Sequence, residues 1–203
     1  MKTYGTRTAR SLKEWDKTMY RCAIIALAAV FLFPFTAMGE KKLVDDSEYK
    51  DKDFKKCNIS DYGKMVEGDD IGWVWVDPSV KLAGYMMKVG KVENKSEIRS
   101  KSLVTTVKST FSSYFGDMET KGGSGTLTAD VCIYMAENFS AGKAWIPFAG
   151  GHQMQAGLGV EMVLRDGKNR TVAKFRHSAR EGAQIEAAAQ EVAGDLVKYI
   201  SKH

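Results

Sequence analysis

The chain is poor in histidine and lacks every residue arrangement that usually announces catalysis. Its 203 residues hold three histidines, His152, His177 and His203. No two stand in the H-x-x-x-H or H-E-x-x-H spacing that puts metal ligands on one helix face. There is no Gly-x-Ser-x-Gly elbow, which removes a serine hydrolase of that design. Gly122-Gly-Ser-Gly125 leads into a strand pattern and has no Gly-Lys-Ser/Thr ending, so it is a turn and not a phosphate loop. The residues therefore name no catalytic group, no metal ligand and no cofactor.

A basic face is missing too. The formal charge is +5, but six of the 30 Lys and Arg lie in residues 1–39 against two of the 25 acids. The remainder carries 24 basic and 23 acidic side chains. The charge belongs to the N-terminus, and a nucleic-acid partner, which needs a basic patch on the folded domain, is not expected.

What the N-terminus does have is an apolar run, residues 22–37, preceded by Arg21 and followed by Ala37-Met38-Gly39 and then Glu40-Lys-Lys42. A positive flank, a short apolar stretch and a small-x-small site describe a secretory signal, cleaved near Gly39. The run is short for a spanning helix, which takes roughly 20 apolar residues. An uncleaved anchor is the other reading, and it would be the only membrane contact. Translation can start at Met1 or at Met19, which would give a compact leader. Cys22 precedes the apolar run, so it cannot be a lipidation site, and no twin-arginine pair is present.

The expected organisation is a signal at 1–39, a charged flexible lead-in at 40–69 and a single α+β domain at 70–203. Residues 71–76 (Ile-Gly-Trp-Val-Trp-Val) form a strand closed by Asp77-Pro78, with Trp73 and Trp75 read as packing residues. A second strand covers 85–92. Ser96 reads as a helix N-cap, followed by an apolar face of Leu103, Val107, Phe111 and Tyr114 that stops at Gly116.

Residues 125–135 alternate strictly. Leu127, Ala129, Val131, Ile133 and Met135 fall on one face, and Thr126, Thr128, Asp130, Cys132 and Tyr134 on the other. Residues 160–165 form the next strand, Asp166-Gly167 opens a turn and 171–177 return. Ile185, Ala188, Ala189, Val192, Leu196 and Ile200 form one stripe of a closing helix. The order is β-β-α-β-β-β-α, a mainly antiparallel sheet with two helices on one face.

Two cysteines, Cys57 and Cys132, remain after the leader. In a chain sent to an oxidising compartment they favour a disulfide over two separate thiols. Four N-x-Ser/Thr sequons, at Asn58, Asn94, Asn138 and Asn169, are read as chance occurrences. The glycine-rich segment 149–159 keeps Phe148, His152, Gln153 and Met154 close together on a chain able to approach a partner, and these four are the candidate binding residues. A plain hairpin connection with no role is the other reading of that segment.

Lys143-Ala-Trp-Ile-Pro-Phe-Ala-Gly-Gly151, Gly157-Leu-Gly159, Val160-Glu-Met-Val-Leu-Arg-Asp-Gly167 and Val172-Ala-Lys-Phe-Arg176 resemble a family of uncharacterised bacterial envelope domains, over roughly residues 70–201. The Trp-Val-Asp-Pro78 and Gly-Tyr85 stretches are similar to the opening strands of those proteins. The resemblance implies an α+β fold and an envelope location, periplasmic or secreted, and supplies no catalytic residues. Many such proteins are lipoproteins; this chain lacks the cysteine for it. The expected function is a non-catalytic binding or assembly module, using the sheet edge or the glycine-rich loop. Its partner would be another envelope protein or a second copy of itself. The alternative is a small periplasmic enzyme or ligand-binding protein built around His152.

Overall fold

The computed structural model describes residues 54, 56, 57, 59, 62–118, 125–139 and 155–203. They form an α+β fold, a six-stranded sheet with two helices on one face. The strands are β1 (Val66–Gly68), β2 (Ile71–Val76), β3 (Met86–Asn94), β4 (Thr126–Glu137), β5 (Ala156–Arg165) and β6 (Thr171–Glu181). Helix α1 (Lys101–Gly116) joins β3 to β4, and α2 (Ile185–Lys202) follows β6. Across the sheet the order is β1-β2-β6-β5-β4-β3, and every neighbouring pair is antiparallel except β3 and β4. A parallel pair needs a crossover, and α1 supplies it. The β5–β6 turn is held by Asp166, whose Oδ1 accepts the N–H groups of Lys168 and Arg170, each at 2.9 Å. Those bonds and that of Arg170 hold the Asp166 carboxyl below the ordinary carboxylate range.

Alternation decides which face becomes the core. Leu127, Ala129, Val131 and Ile133 of β4, and Leu158, Val160, Met162 and Leu164 of β5, point to the helices and are buried. α1 contributes Leu103, Val107, Phe111 and Phe115, and α2 contributes Ala188, Ala189, Val192, Ala193, Leu196, Tyr199 and Ile200. Both helices thus lay one apolar stripe on one sheet face.

Several local expectations change. Residues 133–135 carry a register irregularity in the β4–β5 pairing, so Ala136 takes the core side and Met135 does not. An extra residue in one strand flips the alternation beyond it, which a count along β4 alone cannot reveal. The first helix begins at Lys101 with Ser100 as its N-cap. Ser96 is engaged elsewhere: Asn94 Oδ1 accepts its N–H at 3.0 Å and its hydroxyl at 2.6 Å. Phe115 completes the buried face of α1, and Tyr114 is half-buried. β5 begins at Ala156, so Gly157 and Gly159 are strand residues and not loop.

The opposite face of the sheet, the back face, carries a second, smaller cluster. Phe54, Ile59, Tyr62 and Met65 are buried against Trp73, Trp75 and Val163. These four come from within the stretch that composition reads as a charged lead-in. Their irregular spacing follows a strap across the back of a sheet and matches neither the helical nor the strand period.

Candidate functional site

Cys57 and Cys132 are joined by a disulfide, with S–S 2.01 Å and Cα–Cα 5.9 Å. The bond ties Cys57, and with it the strap that carries Phe54, Ile59, Tyr62 and Met65, to the back face in the middle of β4. Next to it, the strap covers a charge pair. Glu161 of β5 and Arg176 of β6 form a salt bridge and are only 1% and 5% exposed. Cross-strand pairing of Glu161 with Arg176 sets the two side by side. The strap completes their surroundings: the Tyr62 hydroxyl donates to Glu161 Oε2 at 2.7 Å. The Arg176 guanidinium is sandwiched between the rings of Phe54, at 3.9 Å, and Tyr134, at 3.7 Å. Burial pushes the Glu161 carboxyl up, and the Tyr62 hydroxyl and Arg176 oppose it. Burial, together with the Glu161 carboxylate, pushes the Tyr62 hydroxyl far above its usual value.

Beside the strap, among the described residues, a groove of about 260 Å³ runs along the back face. Its walls include Cys57 and Ile59 of the strap, Lys91 and Glu93 of β3, Asp130 and Cys132 of β4, Arg165 of β5 and Lys174 of β6. The charges alternate in sign. Lys91 bridges to Glu93, and Arg165 Nε stands 3.4 Å from Asp130 Oδ2. Asp130 Oδ1 also accepts the Lys91 N–H at 3.0 Å. Bonding to Lys91 holds the Glu93 carboxyl below its ordinary range. Lys174 Nζ lies 5.6 Å over the Trp75 ring. Such a rim suits polar recognition of both signs and holds no nucleophile poised beside a base.

The groove ends at β3, the last strand of the sheet. Among the described residues its outer side has no strand partner. The Met86 N–H bonds inward to the Gly125 carbonyl at 2.9 Å. By alternation, Met87 and Val89 therefore direct their backbone groups outward. Met86 is also one of the exposed large apolar side chains, at 51%.

The described histidines are structural. His177 Nδ1 accepts the Gly72 N–H at 3.3 Å, so its Nε2–H donates to Asp195 Oδ2 at 2.9 Å. That ring ties β2 and β6 to α2. His203 stacks on Tyr199 at 4.0 Å and bonds the Tyr199 carbonyl at 2.9 Å. Among the described residues no group of His, Cys, Asp and Glu is arranged to hold a metal.

Of the sequence-derived site residues, Cys57 and Cys132 come together as a disulfide. Phe148, His152, Gln153 and Met154 lie outside the described residues. Counting charges and cysteines misses the Glu161–Arg176 pair. Its signal is an acid and a base at alternating positions of two strands joined by a tight turn, which sets them face to face. No helix among the described residues is long and apolar enough to cross a membrane.

No protein-family model matches the chain, and no curated protein matches it. Among solved structures it is similar to the PelC dodecamer from Paraburkholderia phytofirmans, at 11% identity and a TM-score of 0.35, over 64% of this chain and 90% of that one. It is likewise similar to a single-residue variant of that dodecamer from the same organism, at 14% identity and a TM-score of 0.35, over 64% of this chain and 96% of that one.

Proposed function

We propose that this chain is an exported, non-catalytic binding or assembly module that receives an extended segment of a protein partner along the β3 edge and the charged groove beside it. One observation carries the reading. β3 is nine residues long, has no strand on its outer side among the described residues, and forms one wall of the groove. An edge of this kind offers backbone hydrogen bonds for affinity, and the neighbouring charges supply selectivity. The disulfide supports an oxidising destination, periplasmic or secreted, reached through the leader with cleavage near Gly39.

The test is site-specific photocrosslinking in the native host, with the probe at Lys88 on the exposed edge and a control probe at Lys108 on α1. A defined protein adduct from Lys88 and none from Lys108 is expected. Its mass separates another envelope protein from a second copy of the chain. Val89→Pro removes an outward N–H that has no strand partner among the described residues and should cut the adduct about tenfold, whereas Val89→Ala, which gives up the same core packing but keeps the N–H, should not. Equal labelling from both probes, or an adduct indifferent to Val89→Pro, overturns the edge as the docking surface.

A further inference from the structure

We propose that the partner at the β3 edge is a second copy of this chain. Its own β3 pairs antiparallel with the first about a twofold axis and joins the two six-stranded sheets into one. This rests on the edge reading above and names the partner that reading leaves open.

The irregularity of β3 decides the geometry. Val89 pairs with Ala129 and Val92 with Val131, so β3 spends one residue more than β4 between them. Both valines therefore pack against the helix-side core although three positions separate them. The Met86 and Lys95 N–H groups bond inward, to the carbonyls of Gly125 and Ile133. Alternation from those two ends aims the backbone groups of Met87, Val89, Val92 and Asn94 outward. Among the described residues that side of β3 has no strand partner.

A regular strand has no residue to spare at the shift and falls out of register across it. A second copy running antiparallel carries the same irregularity at the same place. With the twofold axis between Gly90 and Lys91, Val89 of each copy stands opposite Val92 of the other. That is a hydrogen-bonded pair with both side chains on the core face. In a regular strand, residues three apart lie on opposite faces and could not pair about such an axis. The extra residue permits it.

One step further out, Lys88 of each copy stands opposite Glu93 of the other, on the back face. Lys88 is exposed and Glu93 half-buried. The position is a non-hydrogen-bonded one, where opposed side chains come closest. Glu93 bridges to Lys91 of its own chain, and a carboxylate can accept a further donor. Glu93 also lines the groove, so Lys88 of the second copy meets the groove at that wall. Sliding the copies by two residues sets Lys88 opposite Lys91 one way and opposite Lys95 the other. Like charges oppose both slips, and one register remains.

Sedimentation of the purified chain over about 1 µM to 1 mM reads the association. The wild type should pass from monomer to dimer and stop there, because a twofold pairing closes on itself. Lys88→Glu and Glu93→Lys, each folded by circular dichroism, should weaken dimerisation about tenfold or more, since each sets like charges face to face on both sides of the axis. Mixed in equal amounts, the two variants should form a heterodimer within about threefold of wild-type strength, because every opposed pair again has opposite signs. The Val89 and Val92 amides should exchange at least about tenfold faster in the dilute monomer than in the dimer. A wild type still monomeric at about 1 mM overturns the second copy as partner. The edge keeps its role if the Lys88 probe in the host then captures a different protein, and both readings fall if it captures none. Single variants that dimerise like the wild type, or a mixture no stronger than its components, overturn this pairing. Amides of Val89 and Val92 protected equally in monomer and dimer overturn it too, because the edge is then already covered.

Discussion

Replacing Arg176 by methionine isolates the charge beneath the strap. Met keeps an unbranched apolar stem between the Phe54 and Tyr134 rings but removes the partner of Glu161, a residue 1% exposed. Two outcomes are open to the orphaned carboxylate. It can stay ionised with the Tyr62 hydroxyl alone, which for buried pairs costs about 3–5 kcal/mol. It can instead take up a proton, and from an ordinary value of 4.5 that costs about 3.4 kcal/mol near pH 7, at about 1.36 kcal/mol per unit. The cheaper route sets the penalty, so a loss of about 3 kcal/mol is expected in urea unfolding of the oxidised protein. The pH dependence carries a sign. Without Arg176, burial raises the Glu161 carboxyl further above its unfolded value. A raised group contributes stability that is full below about 4.5 and lost as pH rises through the folded value. The gap from wild type should therefore narrow as the pH falls from about 7 toward 5, by at most about 1.4 kcal/mol per unit because Glu161 is raised in the wild type as well. Glu161→Gln combined with Arg176→Met should recover most of the loss, since no buried charge remains. A gap below about 1 kcal/mol near pH 7, or one independent of pH, would refute the reasoning.

Leu196→Ala, at a fully buried position of α2, should cost about 2–5 kcal/mol by urea unfolding; a loss under about 1 would place that stripe outside the core. Gly159→Ala would set a methyl 2.5 Å from Cζ of the buried Tyr134 ring, and should cost about 1–3 kcal/mol. Gly159→Ala should cost less in a Tyr134→Leu background than in wild type, and an equal cost in both backgrounds would refute the clash. Tyr62→Phe is read in alkali. The Tyr62 hydroxyl is raised above 10 by burial and then by Glu161, so its stabilisation holds below about pH 10 and is lost above it as the unfolded tyrosine ionises. Between about pH 10 and 11 the variant should lose about 1 kcal/mol less stability than wild type, with Tyr199 supplying part of the remaining slope. Identical slopes would contradict that assignment.

The readable parts of this fold are those where one residue's burial follows from its position in a period. β4 as far as Ile133, the stripe of α2 and the Asp166-Gly167 turn are of that kind. The disulfide was legible by counting, because Cys57 and Cys132 are the two cysteines outside the apolar N-terminal run. The unreadable parts depend on a partner strand. β1 is three residues long and exists through its pairing with β2. The direction of the β3–β4 pair leaves no mark on either strand, and the β4 irregularity shows only against β5. The strap was hidden by its own charges. Lys56 and Lys64 flank or separate the anchors Phe54, Ile59 and Tyr62, so composition suggests solvent where irregularly spaced side chains reach the sheet.

The β3 edge shows how the sheet limits what can join it. Long free edges invite indiscriminate strand addition, and proteins blunt them with lysines and irregularities. β3 has both: Lys88 and Lys91 are exposed, and the β3–β4 register shifts between Val89 and Val92. The shift is built around Gly90, where a Cβ would stand 2.5 Å from Asp130 Oδ1. That carboxylate occupies the space in order to accept the Lys91 N–H. A strand added from outside therefore meets two short regular runs, Met86 to Val89 and Val92 to Asn94, each too short for a stable pairing on backbone bonds alone. The groove beside it supplies the rest, with Lys91, Glu93, Asp130 and Arg165 within the same wall. On this reading the irregular edge is a filter: an extended segment that cannot also satisfy the charged groove finds too few hydrogen bonds to stay. Gly90→Ala tests the coupling. It should displace Asp130 from Lys91 and lower the crosslinking yield from Lys88 several-fold while the helix-side core keeps its hydrogen-exchange protection. An unchanged yield would separate the edge from the groove.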